Sequence, residues 1–194
     1  MNNQTLWFTT RGAGMVSLIL LSAVLALGVM AQSRFGTRSW PRFLTPAFHR
    51  NLSMVAILFL LLHIVTAVTD PFTHLGFVAA VAPFGSYYRP IWLGLGTLSF
   101  ELMLAVAVTS FIRPRIGSRA WKTIHFLSYP LWGIAVIHGL GTGSDSSALW
   151  MRGITIICIA AVVGAAAWRL LSPSGDPLAG DKRSAASAFR GVSR

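Results

Sequence analysis

The chain has 194 residues, of which 54% are hydrophobic and only 11% charged, whereas a soluble domain carries about a quarter charged residues. Its apolar residues run in blocks of membrane-span length, which excludes a water-soluble domain as the bulk of the fold. The formal net charge of +11 does not point to nucleic acid, because it is confined to particular loops, and the single cysteine, Cys158, excludes an intramolecular disulfide, a CxxCH haem attachment and a cysteine-based iron–sulfur site.

A span needs roughly 20 predominantly apolar residues to cross the hydrocarbon. By that measure five are expected, at about 11–31, 48–69, 91–112, 123–141 and 150–171. In the first, Val29-Met30-Ala31 resembles a small-residue cleavage site, as in a signal peptide. Two features weigh against cleavage: the stretch Gly12 to Ala31 is of span length, and export would leave the following basic cluster outside. That cluster, Arg34, Arg38, Arg42 and Arg50, fills the first loop. After the second span, His74–Tyr88 is apolar but short and contains Pro83 and Gly85, so an interfacial or re-entrant segment is expected. The loop after the third span carries Arg113, Arg115, Arg119 and Lys122, while the loop after the fourth has Arg152 against Asp145. Arg169, Lys182, Arg183, Arg190 and Arg194 lie at or beyond the end of the last span.

Short cytoplasmic loops collect Lys and Arg. The expected topology therefore has the N-terminus outside and the C-terminus inside. The fold class is an all-α membrane bundle of about five helices over residues 1–171, with a disordered basic cytoplasmic tail over 172–194, where Pro173, Gly175 and Pro177 stand among Ser and Ala. Cys158, mid-way in the fifth span, reads as a small buried hydrophobe.

Four of the five histidines lie in expected spans. His49 and His63 are 14 positions apart on the second, and His125 and His138 are 13 apart on the fourth. In an up-and-down bundle these two helices run parallel, so the four residues form two pairs at two depths, His49 with His125 and His63 with His138, separated by roughly 20 Å. Ionisable groups inside a bilayer are costly and usually mark a functional site. Neutral imidazole is a strong iron ligand, and haem takes axial ligands on both faces. A histidine from each of two parallel helices can thus grip a porphyrin between them, and two haems at different depths would connect the two faces. The ordinary reading of a single membrane histidine is a hydrogen-bonding packing residue, but four matched in depth fit that reading poorly. A zinc or proton-relay site would want its histidines clustered with carboxylates, and Glu101 is the only acidic residue deep in a span. The unequal spacing stands out: on an ideal helix 14 positions return to within about 40° of the start, while 13 leave about 140°. Pro130 lies between His125 and His138, where it can kink the helix and change its winding. His74 falls in an outer loop, outside the pairing.

These features resemble the ferric reductase-like transmembrane superfamily, which includes NADPH oxidases, metalloreductases and the haem-bearing membrane subunit of bacterial methionine sulfoxide reductase systems. The resemblance rests on the two histidine spacings, on His49-Arg50-Asn51-Leu52, on Ala120-Trp121-Lys122-Thr123-Ile124-His125, on Arg11-Gly12-Ala13-Gly14 and on Tyr88-Arg89-Pro90-Ile91-Trp92. It covers about residues 7–171. It implies one b-type haem per histidine pair and electron flow from the cytoplasmic to the outer side. It also offers propionate partners, Arg11, Arg89 and Arg152 for the outer haem and Arg50 or Arg119 for the inner, although each equally reads as an interfacial anchor that snorkels. Gly94, Gly96, Gly133 and Gly139 would open space against a porphyrin or simply serve helix packing. The loop 141–147 would shape an electron exit or be only a turn.

Against the family pattern, no GxGxxG fingerprint occurs and only 23 residues follow Leu171, so no flavin or nicotinamide domain is expected, and one helix fewer than in many relatives is counted. The expected function is a di-haem cytochrome b of a bacterial cell membrane. Its donor would be a cytoplasmic flavoprotein or membrane quinol, and its acceptor an extracytoplasmic reductase, a flavoprotein, ferric iron or oxygen. The competing expectation is a haem-free transporter or assembly factor that uses the histidines for a transition metal or a proton relay.

Overall fold

A transmembrane segment must satisfy its own backbone hydrogen bonds, and an α-helix does so within one segment. The computed structural model describes residues 3–32, 41, 43–71, 75–143 and 147–171, and these contain helices and turns but no strand. The elements in chain order are α1 (Asn3–Gln32), α2 (Leu44–Thr69), α3 (Gly76–Val81), α4 (Pro90–Phe111), α5 (Arg113–His125), α6 (Ser128–Thr142) and α7 (Leu149–Leu171). Four of them, α1, α2, α4 and α7, are long and apolar enough to cross a membrane. Hydroxyl groups inside these helices turn back on their own carbonyls four residues earlier, as Ser17 does on Ala13 (2.7 Å) and Ser53 on His49 (2.6 Å). Polar side chains are thereby satisfied without leaving the helix. Large apolar side chains such as Leu58, Val65, Ile156 and Ile157 face outwards, as lipid contact requires. His74, Arg34, Arg38, Arg42, Asp145 and the tail after Leu171 lie outside the described residues.

The principal packing joins α1 to α2, with α1 also contacting α6 and α7, and α4 packing on α6 and α5. Leu18 of α1, Val136 of α6 and Cys158 of α7 form a buried cluster, with Trp132 and Ile154 against it. Beside this cluster Trp132 Nε1 of α6 donates to Ser22 Oγ of α1 (2.9 Å). At one end of the bundle Arg169 of α7 donates to Gln32 Oε1 of α1.

α3, which lies between α2 and α4, is too short to cross a membrane. α3 has six residues and is followed by turns closed by Ala82 N–H to Val78 O and Gly85 N–H to Ala82 O. It is pinned to α4 by Thr97 Oγ1 donating to Ala79 O (2.7 Å). Arg89 enters α4 in the left-handed conformation (φ 43°) before Pro90, and its guanidinium donates to Gly141 O (2.8 Å) at the end of α6. One side chain thus ties the start of α4 to the end of α6.

The expected fourth span is not one helix. Its first residues end α5, an amphipathic helix with Arg113, Arg115, Arg119 and Lys122 exposed and a non-helical Gly117 (φ 79°, ψ 163°) inside it. The chain then turns through Phe126 and Leu127 before α6 begins at Ser128. Proline lacks the N–H that would bond the carbonyl four residues earlier and crowds that carbonyl with its ring. For Pro130 that carbonyl belongs to Phe126, which instead accepts from Tyr129 N–H (3.2 Å), while Leu127 N–H donates to Ile124 O (2.9 Å). Both are three-residue, 3₁₀-type bonds, and they mark the break.

Candidate functional site

α2 is unbroken from Leu44 to Thr69, so its two histidines, 14 positions apart, share a face. His125 closes α5 and His138 lies late in α6. The fold brings His49 to His125, with ring centres 6.2 Å apart and planes at 66°, and His63 to His138, with ring centres 6.3 Å apart and planes at 74°.

Three of the four rings are held by main-chain carbonyls of a neighbouring helix. Nδ1 of His49 lies 2.9 Å from Val24 O, Nδ1 of His63 lies 2.8 Å from Thr10 O, and Nδ1 of His138 lies 2.8 Å from Trp92 O. A carbonyl only accepts, so each Nδ1 carries the proton and each Nε2 is left with a free lone pair. In each case a glycine on the same helix faces the ring: a Cβ would stand 3.2 Å from His49 at Gly28, 2.9 Å from His63 at Gly14 and 2.6 Å from His138 at Gly96. His125 is different. Its Nδ1 is buried without a hydrogen-bond partner among the described residues. Its ring stacks on Trp121 (4.8 Å, 27°), whose other contacts are the Arg113 guanidinium (4.0 Å from the ring centre) and Ser110 Oγ (3.3 Å).

A cavity of about 580 Å³ surrounds the His63/His138 pair. Leu60, Leu93, Phe100 and Met103 supply its apolar wall, and Arg11, Asp70 and Arg89 its polar end. The Arg11 guanidinium lies over the Trp7 ring (4.3 Å). Arg89 also lines the cavity while holding the end of α6. Arg50 and Arg119 are exposed, on the elements that carry His49 and His125. Of the four glycines singled out from sequence, only Gly96 meets a histidine; Gly94 faces Phe84, and a Cβ at Gly133 or Gly139 would meet nothing within 4 Å. Sequence reasoning did not assign Gly14 and Gly28 to the histidines. The signal for them was present, because they are 14 positions apart on α1, as their partners are on α2.

Each pair offers two imidazole nitrogens, and no group of three or more His, Cys, Asp or Glu able to hold a metal ion occurs among the described residues. A bare transition-metal ion needs four or more ligands. The pairs therefore suit a centre that brings its other ligands with it. Two imidazoles bound on opposite sides of one metal, each at about 2.0–2.1 Å with its ring centre about 1.1 Å behind the nitrogen, stand about 6.3 Å apart.

Comparison with curated proteins and with solved structures gives no match. Residues 13–136 match the family described as ferric reductase like transmembrane component, a stretch that holds three of the four paired histidines and all three facing glycines. That match spans more than half of the chain, which belongs to the ferric reductase like transmembrane component family.

Proposed function

We propose that this chain is a di-haem b-type cytochrome that conducts electrons across the cytoplasmic membrane of a bacterium, in which His49 and His125 would hold an inner haem and His63 and His138 an outer one. The observation that carries the proposal is the pair of facing imidazoles at 6.2 and 6.3 Å, the separation expected of two histidines on one iron. The cavity around His63 and His138 supports it in size and in its apolar wall. Bound haem supplies one-electron redox chemistry at each depth.

The chain's own residues do the rest. The carbonyls of Val24, Thr10 and Trp92 fix three rings with Nε2 as the ligand atom. Leu60, Leu93, Phe100 and Met103 keep water from the outer site, and Arg11 and Arg89 supply positive charge at its polar end for the propionates. Arg50 and Arg119 would serve the inner site in the same way. The basic first loop and the basic α5 support a cytoplasmic side for the His49/His125 end, by the positive-inside rule. The donor is then a cytoplasmic flavoprotein or membrane quinol. The acceptor is an extracytoplasmic reductase, a flavoprotein, ferric iron or oxygen.

Haem per polypeptide on detergent-purified protein, with oxidised and dithionite-reduced spectra, tests the reading. Two b-type haems with low-spin bis-histidine spectra are expected. Haem-free protein from cells with ample haem would overturn it and return the histidines to a metal or proton-relay role.

A further inference from the structure

We infer that Gly14, Gly28 and Gly96 are positioning residues of the proposed haem sites, each uncovering a main-chain carbonyl that holds the facing histidine with Nε2 towards the iron. The inference rests on the haem reading above and adds a role that composition alone does not reveal, since glycine is common in any packed membrane helix.

The three contacts share one construction. The accepting carbonyls belong to Thr10, Val24 and Trp92, and the facing glycines are Gly14, Gly28 and Gly96. In every case the glycine lies four positions after the carbonyl. A helical Cα–Cβ bond leans towards the N-terminus, so the side chain at position i+4 covers the turn that contains the carbonyl of residue i. Removing that side chain exposes the carbonyl oxygen, which still serves its own helix and has a second lone pair to offer. The ring atoms that a Cβ would meet first are Cε1 and Nδ1, at 2.9 and 2.9 Å for Gly14, 3.2 and 3.5 Å for Gly28, and 2.6 and 2.7 Å for Gly96. This is the edge of the ring that donates the hydrogen bond. Alanine would therefore push the donor off its acceptor.

The arrangement also explains how α1 matches α2. These helices are antiparallel neighbours, and a glycine pair and a histidine pair with the same 14-position spacing meet rung for rung, Gly28 at His49 and Gly14 at His63. His125 supplies the internal contrast: its Nδ1 has no partner among the described residues, and Trp121 sets its ring instead.

A donated Nδ1 proton makes Nε2 the stronger ligand and stabilises the oxidised iron. The test is Gly→Ala at each position in the full-length haem-loaded protein, read by haem stoichiometry, midpoint potentials and low-spin electron paramagnetic resonance. Gly164→Ala on α7, where a Cβ meets nothing within 4 Å, is the control. G96A and G14A are expected to lose the outer haem, falling from about two haems per chain to about one. G28A, with the loosest contact, should keep both haems, with the inner one raised in potential and its resonance shifted. G164A should match the parent in all three readouts. If G96A or G14A does not accumulate as helical protein, G28A alone decides, because its contact is relieved by a shift of a few tenths of an ångström. Two haems with unchanged potentials and resonances in G28A overturn the inference while leaving the haem reading intact. Equal changes in G164A overturn it too, and a parent without haem overturns both.

Discussion

The pairing of the histidines makes a quantitative prediction that separates ligands from packing residues. His49 and His63 are 14 positions apart on one unbroken helix, which at 1.5 Å per residue sets the two sites about 21 Å apart along α2. Perturbations more than about 7–10 Å apart without shared partners act independently. His63→Ala should therefore remove one haem and leave the other with its parental spectrum, so that the reduced-minus-oxidised α-band per polypeptide falls to about half. His138→Ala should do the same, and, if both residues serve one iron as proposed, the double variant of His63 and His138 should lose nothing further. A double variant of His63 and His49 should instead fall to about zero. Haem assay and difference spectra on purified, monodisperse protein read all four states, with far-ultraviolet circular dichroism to confirm that helicity is kept. If the His63/His138 double variant loses both haems while the His63/His49 variant retains one, the pairing is wrong. If all four variants bind haem like the parent, these histidines are not the ligands.

Two further predictions concern the scaffold. Ser22 Oγ accepts from Trp132 Nε1 and donates to Leu18 O, and interhelical hydrogen bonds in membranes are worth about 0.6 kcal/mol on average and about 1.7 at most. A double-mutant cycle of Ser22→Ala and Trp132→Phe, followed by unfolding in mixed micelles, should return a coupling in that range; zero coupling would deny the bond a stabilising role. Gly117 adopts φ 79° and ψ 163°, a region almost exclusive to glycine. Gly117→Ala should destabilise the protein by about 1–3 kcal/mol, seen as a lower unfolding midpoint, and an unchanged midpoint would mean that α5 can rewind at no cost.

Hydropathy alone located α1, α2, α4 and α7, because a span of lipid-facing helix leaves an unbroken apolar run that no soluble element needs. It also separated α3 from the spans, since Pro83 and Gly85 cannot continue a helix there. The pairing of histidines by depth was legible too, because parallel helices carry equal steps along their axes to equal depths. What the sequence did not disclose depends on azimuth rather than depth. The guanidinium of Arg89 reaches across to the end of α6, and it does so from a left-handed backbone that the following proline gives no reason to expect. The orphaned Nδ1 of His125 is likewise a property of where the α5 terminus points.

The same distinction accounts for the unequal spacings of 14 and 13. Depth is nearly indifferent to one residue, since a step of about 1.5 Å is small beside the separation of the sites. Direction is not indifferent, because one residue turns a helix by about 100°. On α2, which is continuous, 14 positions are needed for both rings to face the same way. On the α5–α6 side of the pairing the helix is broken, with 3₁₀-type bonds at Ile124–Leu127 and Phe126–Tyr129. Residues wound in that form advance about 120° each instead of about 100°, and the turn at Phe126 and Leu127 redirects the axis as well. Overwinding of this kind adds about 20° per residue, part of the roughly 100° that one position fewer leaves short, and the redirected axis has to supply the rest. Thirteen positions with a proline at the fifth step and fourteen without one then meet the same requirement, with ring separations of 6.2 and 6.3 Å at the two sites. Unequal spacing beside a proline is accordingly the mark of a broken span carrying one histidine of each pair, and an unbroken fourth helix with this 13-residue step would turn one histidine away from its mate.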